Sequence, residues 1–70
     1  MERAETVKRK AEELIGAGSR PSALRIAREL DYPEDDVHRC LNFLERNGDV
    51  ETYALDVLGT RHRMVGVNRV

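Results

Sequence analysis

VHRCLNFLERNGDV, residues 37–50, is the stretch on which the reading of this chain turns. Val37, Cys40, Leu41 and Leu44 recur at helical spacing, the buried stripe of a helix with one dry side. Asn47-Gly48 stops that helix, and a segment of different period begins at Asp49-Val50. The outward face carries His38, Arg39, Asn42, Glu45 and Arg46. Immediately before it stands PEDD, residues 33–36. Pro33 suits a first helical turn, and the carboxylates of Glu34, Asp35 and Asp36 complement the positive end of the helix dipole, by ~0.3–1 kcal/mol each. Acids at that position also repel phosphates.

Working toward the N-terminus, residues 23–30 form a second short helix with Ser22 as its cap and Ala23, Leu24, Ala27 and Leu30 facing inward. GAGSRP, residues 16–21, breaks the chain before it: Gly16 or Gly18 takes a left-handed cap, and Pro21 cannot continue a helix. Residues 2–15 form an amphipathic helix whose inward positions are Ala4, Val7, Ala11, Leu14 and Ile15. Cys40 belongs to the apolar stripe of the third helix and reads as a small core residue.

Toward the C-terminus the period changes. DVETYAL and RHRMVGV are two β-prone stretches, with DVLGT between them and Gly59 as the turn residue. Three helices followed by such a hairpin make an α+β fold, a winged helix-turn-helix, and the short gap between the second and third helices is the one that motif needs. Residues 1–70 read as one domain, of a length that suits a piece cut from a larger protein.

Composition narrows the function. The charged fraction is 36%, aromatic content is 4% and the net charge is −1, so no global basic field steers the chain onto nucleic acid. Any such binding rests on a local patch. A single cysteine excludes an internal disulfide and a Cys-based zinc site. Neither a signal-peptide pattern nor a membrane-length apolar run is present, and with the lone thiol this predicts an intracellular protein. There is no Ser-His-Asp order, glycine-rich phosphate loop or paired-carboxylate cleft, so the reading is a binding module and not an enzyme, without cofactor, metal or small-molecule substrate.

The stretch SALRIARELDYPEDDVHRCLNFLERNGDV, residues 22–50, resembles the Zα-type winged helices of RNA-editing adenosine deaminases, Z-form nucleic-acid sensors and poxvirus host-range proteins. The likeness lies in SAL..A..L, the proline before the third helix, the V.R.L..LER.GDV run and the hairpin after it, and it spans roughly residues 5–67. That family grips the zigzag phosphates of left-handed duplexes. By the resemblance, its helix Asn falls on His38, the adjacent Arg on Arg39, its Tyr on Asn42 and the basic residue after the proline on Glu34. Its wing prolines fall on Arg61 and His62, and its Trp near Met64. Only the arginine is kept. The Zβ-type second domain of those deaminases is similar in lacking the Tyr: it keeps the fold and a comparable ER.GDV run without binding Z-form duplexes.

A helix-turn-helix lays its second helix on the nucleic acid, and a wing adds backbone contacts. The expected nucleic-acid-binding residues are therefore His38, Arg39, Asn42 and Arg46 on the helix and Arg61, His62 and Arg63 on the wing. The partner would be RNA or a left-handed or other double-stranded nucleic acid, held by backbone and shape contacts. The competing expectation is a Zβ-like protein-interaction module or homodimer, with Phe43, Leu55, Val57 and Leu58 as its apolar contacts. On that view the charges form a solvated face with local ion pairs such as Asp35 with Arg39.

Overall fold

The computed structural model describes residues 2–67; Met1 and residues 68–70, which the single-domain reading takes in, lie outside them. Helices α1 (Glu2–Gly16), α2 (Ala23–Leu30) and α3 (Glu34–Arg46) are followed by strands β1 (Val50–Val57) and β2 (Thr60–Val67). This is the α+β winged-helix layout, three helices and then an antiparallel hairpin.

Each helix closes in the same way. A residue in the left-handed region follows the last turn, and the next amide reaches back to a carbonyl five residues earlier: Ser19 to Leu14 (2.9 Å), Tyr32 to Ala27 (2.9 Å) and Asp49 to Leu44 (2.9 Å). Glycine takes the left-handed position after α1 and α3, at Gly18 and Gly48, but Asp31 takes it after α2, with φ 56°. A short polar side chain tolerates that conformation better than most. At the start of α2 the Ser22 hydroxyl accepts from the Arg25 amide at 3.0 Å. α3 starts differently from the sequence expectation. Pro33 is the capping residue itself and the helix begins at Glu34, with no side-chain cap. The carboxylates of Glu34, Asp35 and Asp36 therefore occupy the whole first turn, where uncapped amides favour negative charge.

The core is the meeting of all five elements. Val7 of α1, Ile26 of α2, Val37 and Leu41 of α3 and Val50 of β1 are fully buried, with Cys40 and Val65 beside them. The inward stripes of α1 and α3 lie where the spacing places them, except that Ile15 is only half-buried. α2 corrects the sequence reading: Ala23, Ile26 and Ala27 are its buried residues, while Leu24 and Leu30 are half-buried. Phe43 is half-buried and packs against the core.

β1 and β2 pair from Val50–Val67 to Val57–Thr60, so the strands run longer than the sequence reading gave them and the turn is only Leu58-Gly59. β2 is also tied on its other edge to the start of α2. The Val65 amide donates to the Pro21 carbonyl at 3.0 Å, and Ser22 bridges to Met64. The wing is thus fastened to the helix-turn-helix at its base.

The turn itself is strained. A two-residue hairpin loop with φ 50° at Leu58 and 79° at Gly59 is a type I′ turn, which suits Asn-Gly and not Leu-Gly. Leu58 is also 100% exposed and makes no packing contact to offset its conformation. Leu58→Asn should therefore stabilise the domain by about 1 kcal/mol, the cost of a left-handed conformation for an ordinary residue. Thermal unfolding followed by circular dichroism should show a midpoint higher by roughly 4–8 °C. An unchanged or lower midpoint would mean that the turn carries no strain.

Candidate nucleic-acid interface

α3 and the wing meet through one side chain. Arg63 lies on the face of β2 that packs against α3, and its side chain is 22% exposed. Nη2 donates to Asn42 Oδ1 at 2.9 Å, and Nη1 lies 3.2 Å from His38 Nδ1 and 3.5 Å from the His38 carbonyl oxygen. Glu45 stands 3.6 Å away as its counter-ion. His38 and Asn42, one helical turn apart, together with Glu45 make the ledge on which the guanidinium rests.

These contacts fix the chemistry of two neighbours. Arginine has only donors, so His38 Nδ1 must accept, and the ring proton then resides on Nε2. Nε2 lies 3.2 Å from Glu34 Oε2 and donates to it. Glu34 thus holds the His38 ring in place. Asn42 accepts through its carbonyl oxygen, so its amide NH2 turns away from Arg63 toward solvent with two donors to offer. The other two first-turn carboxylates differ from Glu34. Asp36 pairs with Arg3 of α1, whose guanidinium also lies 4.9 Å above the Tyr32 ring, while Asp35 is exposed and forms no ion pair with Arg39. Burial, and secondarily Asp36, push the Cys40 thiol up from its ordinary value, which fits a core residue and not a nucleophile.

The wing is braced a second time at its base. Glu45 Oε2 accepts from the Thr52 hydroxyl at 2.7 Å and from the Thr52 amide at 3.1 Å. The hydroxyl bond, then the amide bond, then the charge of Arg63 hold the Glu45 carboxyl below the usual carboxylate value. A carboxyl lowered in the folded state contributes stability that is present above the ordinary carboxylate range and is lost as pH falls through the folded value. Thr52→Val keeps the β-branched shape and the amide donor but removes the hydroxyl. The Glu45 carboxyl should then titrate closer to the ordinary value, as followed by carbon chemical shifts of Glu45 against pH. An unmoved titration would show that the hydroxyl bond is not what lowers it.

The seven expected site residues fall into four groups. His38, Asn42 and Arg63 are brought together as described. Arg39 and Arg46 are seven residues apart, on the same side of α3 as Asn42 and about 10 Å from one another along the axis, and both are exposed. Neither has an ion pair or a side-chain hydrogen bond among the described residues. Arg61 is engaged near the wing tip, with Nε 3.1 Å from Asp56 Oδ1. His62 stands apart: strand alternation pairs it with Leu55, on the opposite face of the hairpin from Arg61 and Arg63. The four arginines among these residues are therefore two free ones on the helix and two paired ones on the wing. Between the helix starts and the hairpin runs an open groove of about 530 Å³, bordered by Ser22, Glu34, His38, Tyr53, Arg61 and Arg63.

Sequence reasoning missed the Glu34–His38 pair and the Glu45–Thr52 brace. The first was legible as a Glu four residues before a His on one helix face. The second joins a helix to a strand and had no local signal. Among the described residues no group of three His, Cys, Asp or Glu side chains is placed to hold a metal ion, and no helix is long and apolar enough to cross a membrane. No protein-family model matches the chain, and no curated protein matches it.

Proposed function

We propose that this domain binds the backbone of a nucleic acid, RNA or duplex, through the outward ridge of α3, with the wing held alongside. It is a binding module and not an enzyme. The observation that carries the reading is the ridge itself: Arg39 and Arg46, without partners among the described residues, flank an Asn42 whose amide NH2 is turned outward by Arg63. Two guanidinium forks and a neutral donor in one row suit successive phosphates, and each phosphate neutralised releases counterions. Nothing in that row reads base edges by a fixed pair of contacts, so the binding is of shape and charge.

The resemblance to Zα-type winged helices supports the orientation, with α3 against the ligand. It does not support Z-form selectivity, because the positions of the family's Tyr and Trp carry Asn42 and Met64 and the position of its basic contact carries Glu34. That glutamate is engaged with His38 and adds negative potential at the start of α3.

The test is a titration of labelled single-stranded RNA, double-stranded RNA and a CG-repeat DNA duplex at several salt concentrations, with circular dichroism of the CG duplex. Binding that weakens linearly in log salt, with the right-handed spectrum retained, is expected. Spectral inversion would restore Z-form selectivity to the domain, and no binding to any ligand at low salt would remove the reading altogether.

A further inference from the structure

The outer edge of β1 has no strand partner among the described residues. The Thr52 amide donates to Glu45, and the Val65 amide donates to Pro21, so both members of the Thr52–Val65 pair turn their amides away from each other. Those two bonds fix the phase of the ladder. In an antiparallel pair such positions alternate with bonded ones, so Ala54 and Asp56 also direct their N–H and C=O groups outward from the free edge. Along that same strand Tyr53, Leu55 and Val57 are 49%, 40% and 45% exposed, all on the face away from Arg63. This exposed edge has three such side chains and no lysine, proline or bulge; its only charges are Glu51 and an Asp56 already paired with Arg61, so it has little protection against strand addition.

We propose that this edge pairs with β1 of a second copy of the chain. The argument for a second copy is the strand's self-complementarity in the two-fold register that engages the free groups of both Ala54 and Asp56. Glu45 caps the Thr52 amide, so pairing cannot use that position, and the free backbone groups belong to Ala54 and Asp56. An antiparallel two-fold that sets Ala54 against Asp56 of the other copy sets Leu55 against Leu55 on the axis and Tyr53 against Val57. Directly opposed aromatic and aliphatic side chains are the pairs that stabilise sheets. No carboxylate stands directly opposite a carboxylate in this register; the two Asp56 side chains are diagonal neighbours, each paired with Arg61 of its own hairpin, and a net charge of −1 leaves little repulsion between copies. The pairing makes a four-stranded sheet across the two-fold. Paired residues share a face, so both α3 helices, with their Arg39–Asn42–Arg46 ridges, lie on one side of that sheet. The proposal does not rest on nucleic-acid binding, since its apolar side chains lie on the hairpin face away from Arg63 and it uses neither Arg39 nor Arg46.

Sedimentation equilibrium of the intact chain up to about 1 mM should show a weak monomer–dimer equilibrium, as a small interface gives. The amides of Ala54 and Asp56 should exchange with solvent more slowly as concentration rises, while that of Thr52 should not change. Leu55→Lys places two ammonium groups together on the axis and should raise the dissociation constant at least about tenfold, with the circular dichroism spectrum unchanged. Ala54→Pro removes an outward amide, half of the bonds across the axis, but none within the hairpin, and should act in the same direction. If Ala54→Pro fails to fold, Leu55→Lys and the exchange of Ala54 and Asp56 still decide. A chain that stays monomeric over this range, or a dimer that Leu55→Lys leaves intact, would overturn the proposal.

Discussion

Ile26→Ala should lower the stability of this domain by about 2–5 kcal/mol, the range for truncating a fully buried branched side chain. Ile26 is 0% exposed and stands among the largest fully buried side chains of the domain. It lies on α2, which packs against α1, α3 and β2, so its loss leaves a cavity that no single element can close by shifting. A chain of this length carries on the order of 4–10 kcal/mol in total, at the usual stability per residue. The variant should therefore melt roughly 10–30 °C lower, or be unfolded at the upper end of the cost. Leu24→Ala, at a half-buried position on the same helix, should cost distinctly less. Urea unfolding of the two variants gives the comparison. Equal costs would place Leu24 in the core beside Ile26, against the packing described.

That comparison also shows where sequence reasoning failed. α1 and α3 have single apolar stripes on charged helices, and only one orientation buries them. In α2, Ala23, Leu24, Ile26, Ala27 and Leu30 are all apolar within eight residues. Two overlapping stripes fit, one through Leu24 and one through Ile26, and periodicity does not choose between them. The choice is made by the tie between Val65 and Pro21 and by the bridge from Ser22 to Met64, which set the rotation of α2 against the wing. Those bonds join residues more than forty positions apart in the chain. The hairpin was legible from β-prone stretches flanking Gly59, but not the extent of its strands, because Leu58 takes a conformation that leucine disfavours.

The candidate site divides in the same way. The direction of His38, Arg39, Asn42 and Arg46 followed from helical spacing, which is a local property. Which cations are free did not. Asp35 and Arg39 are four apart on one helix and were the ion pair to expect, yet they do not pair. Arg63 and Glu45, eighteen residues apart, do. An exposed helical pair contributes only about 0.3–0.5 kcal/mol, so it yields readily to any competing geometry. Arg63 is partly buried between the wing and α3, where its acceptors are fixed.

This division of the arginines leads to the largest functional effect expected. Replacing Arg39 and Arg46 together by alanine should weaken RNA or duplex binding roughly thirtyfold, taking about 1 kcal/mol for each solvent-exposed charged contact. The slope of log affinity against log salt should flatten by about two for duplex ligands, since each lost phosphate contact removes close to one counterion. Arg61→Ala should do much less, because Asp56 already neutralises that guanidinium, and its removal also leaves a carboxylate near the tip. Removing Arg9 and Arg20, exposed cations outside α3 and the wing, takes away the same net charge as the helix pair. If binding depended on net charge alone, that control would match the double variant in both affinity and slope. If the α3 ridge holds the backbone, only the Arg39/Arg46 pair flattens the slope, while the melting temperatures of all three variants stay near that of the parent chain.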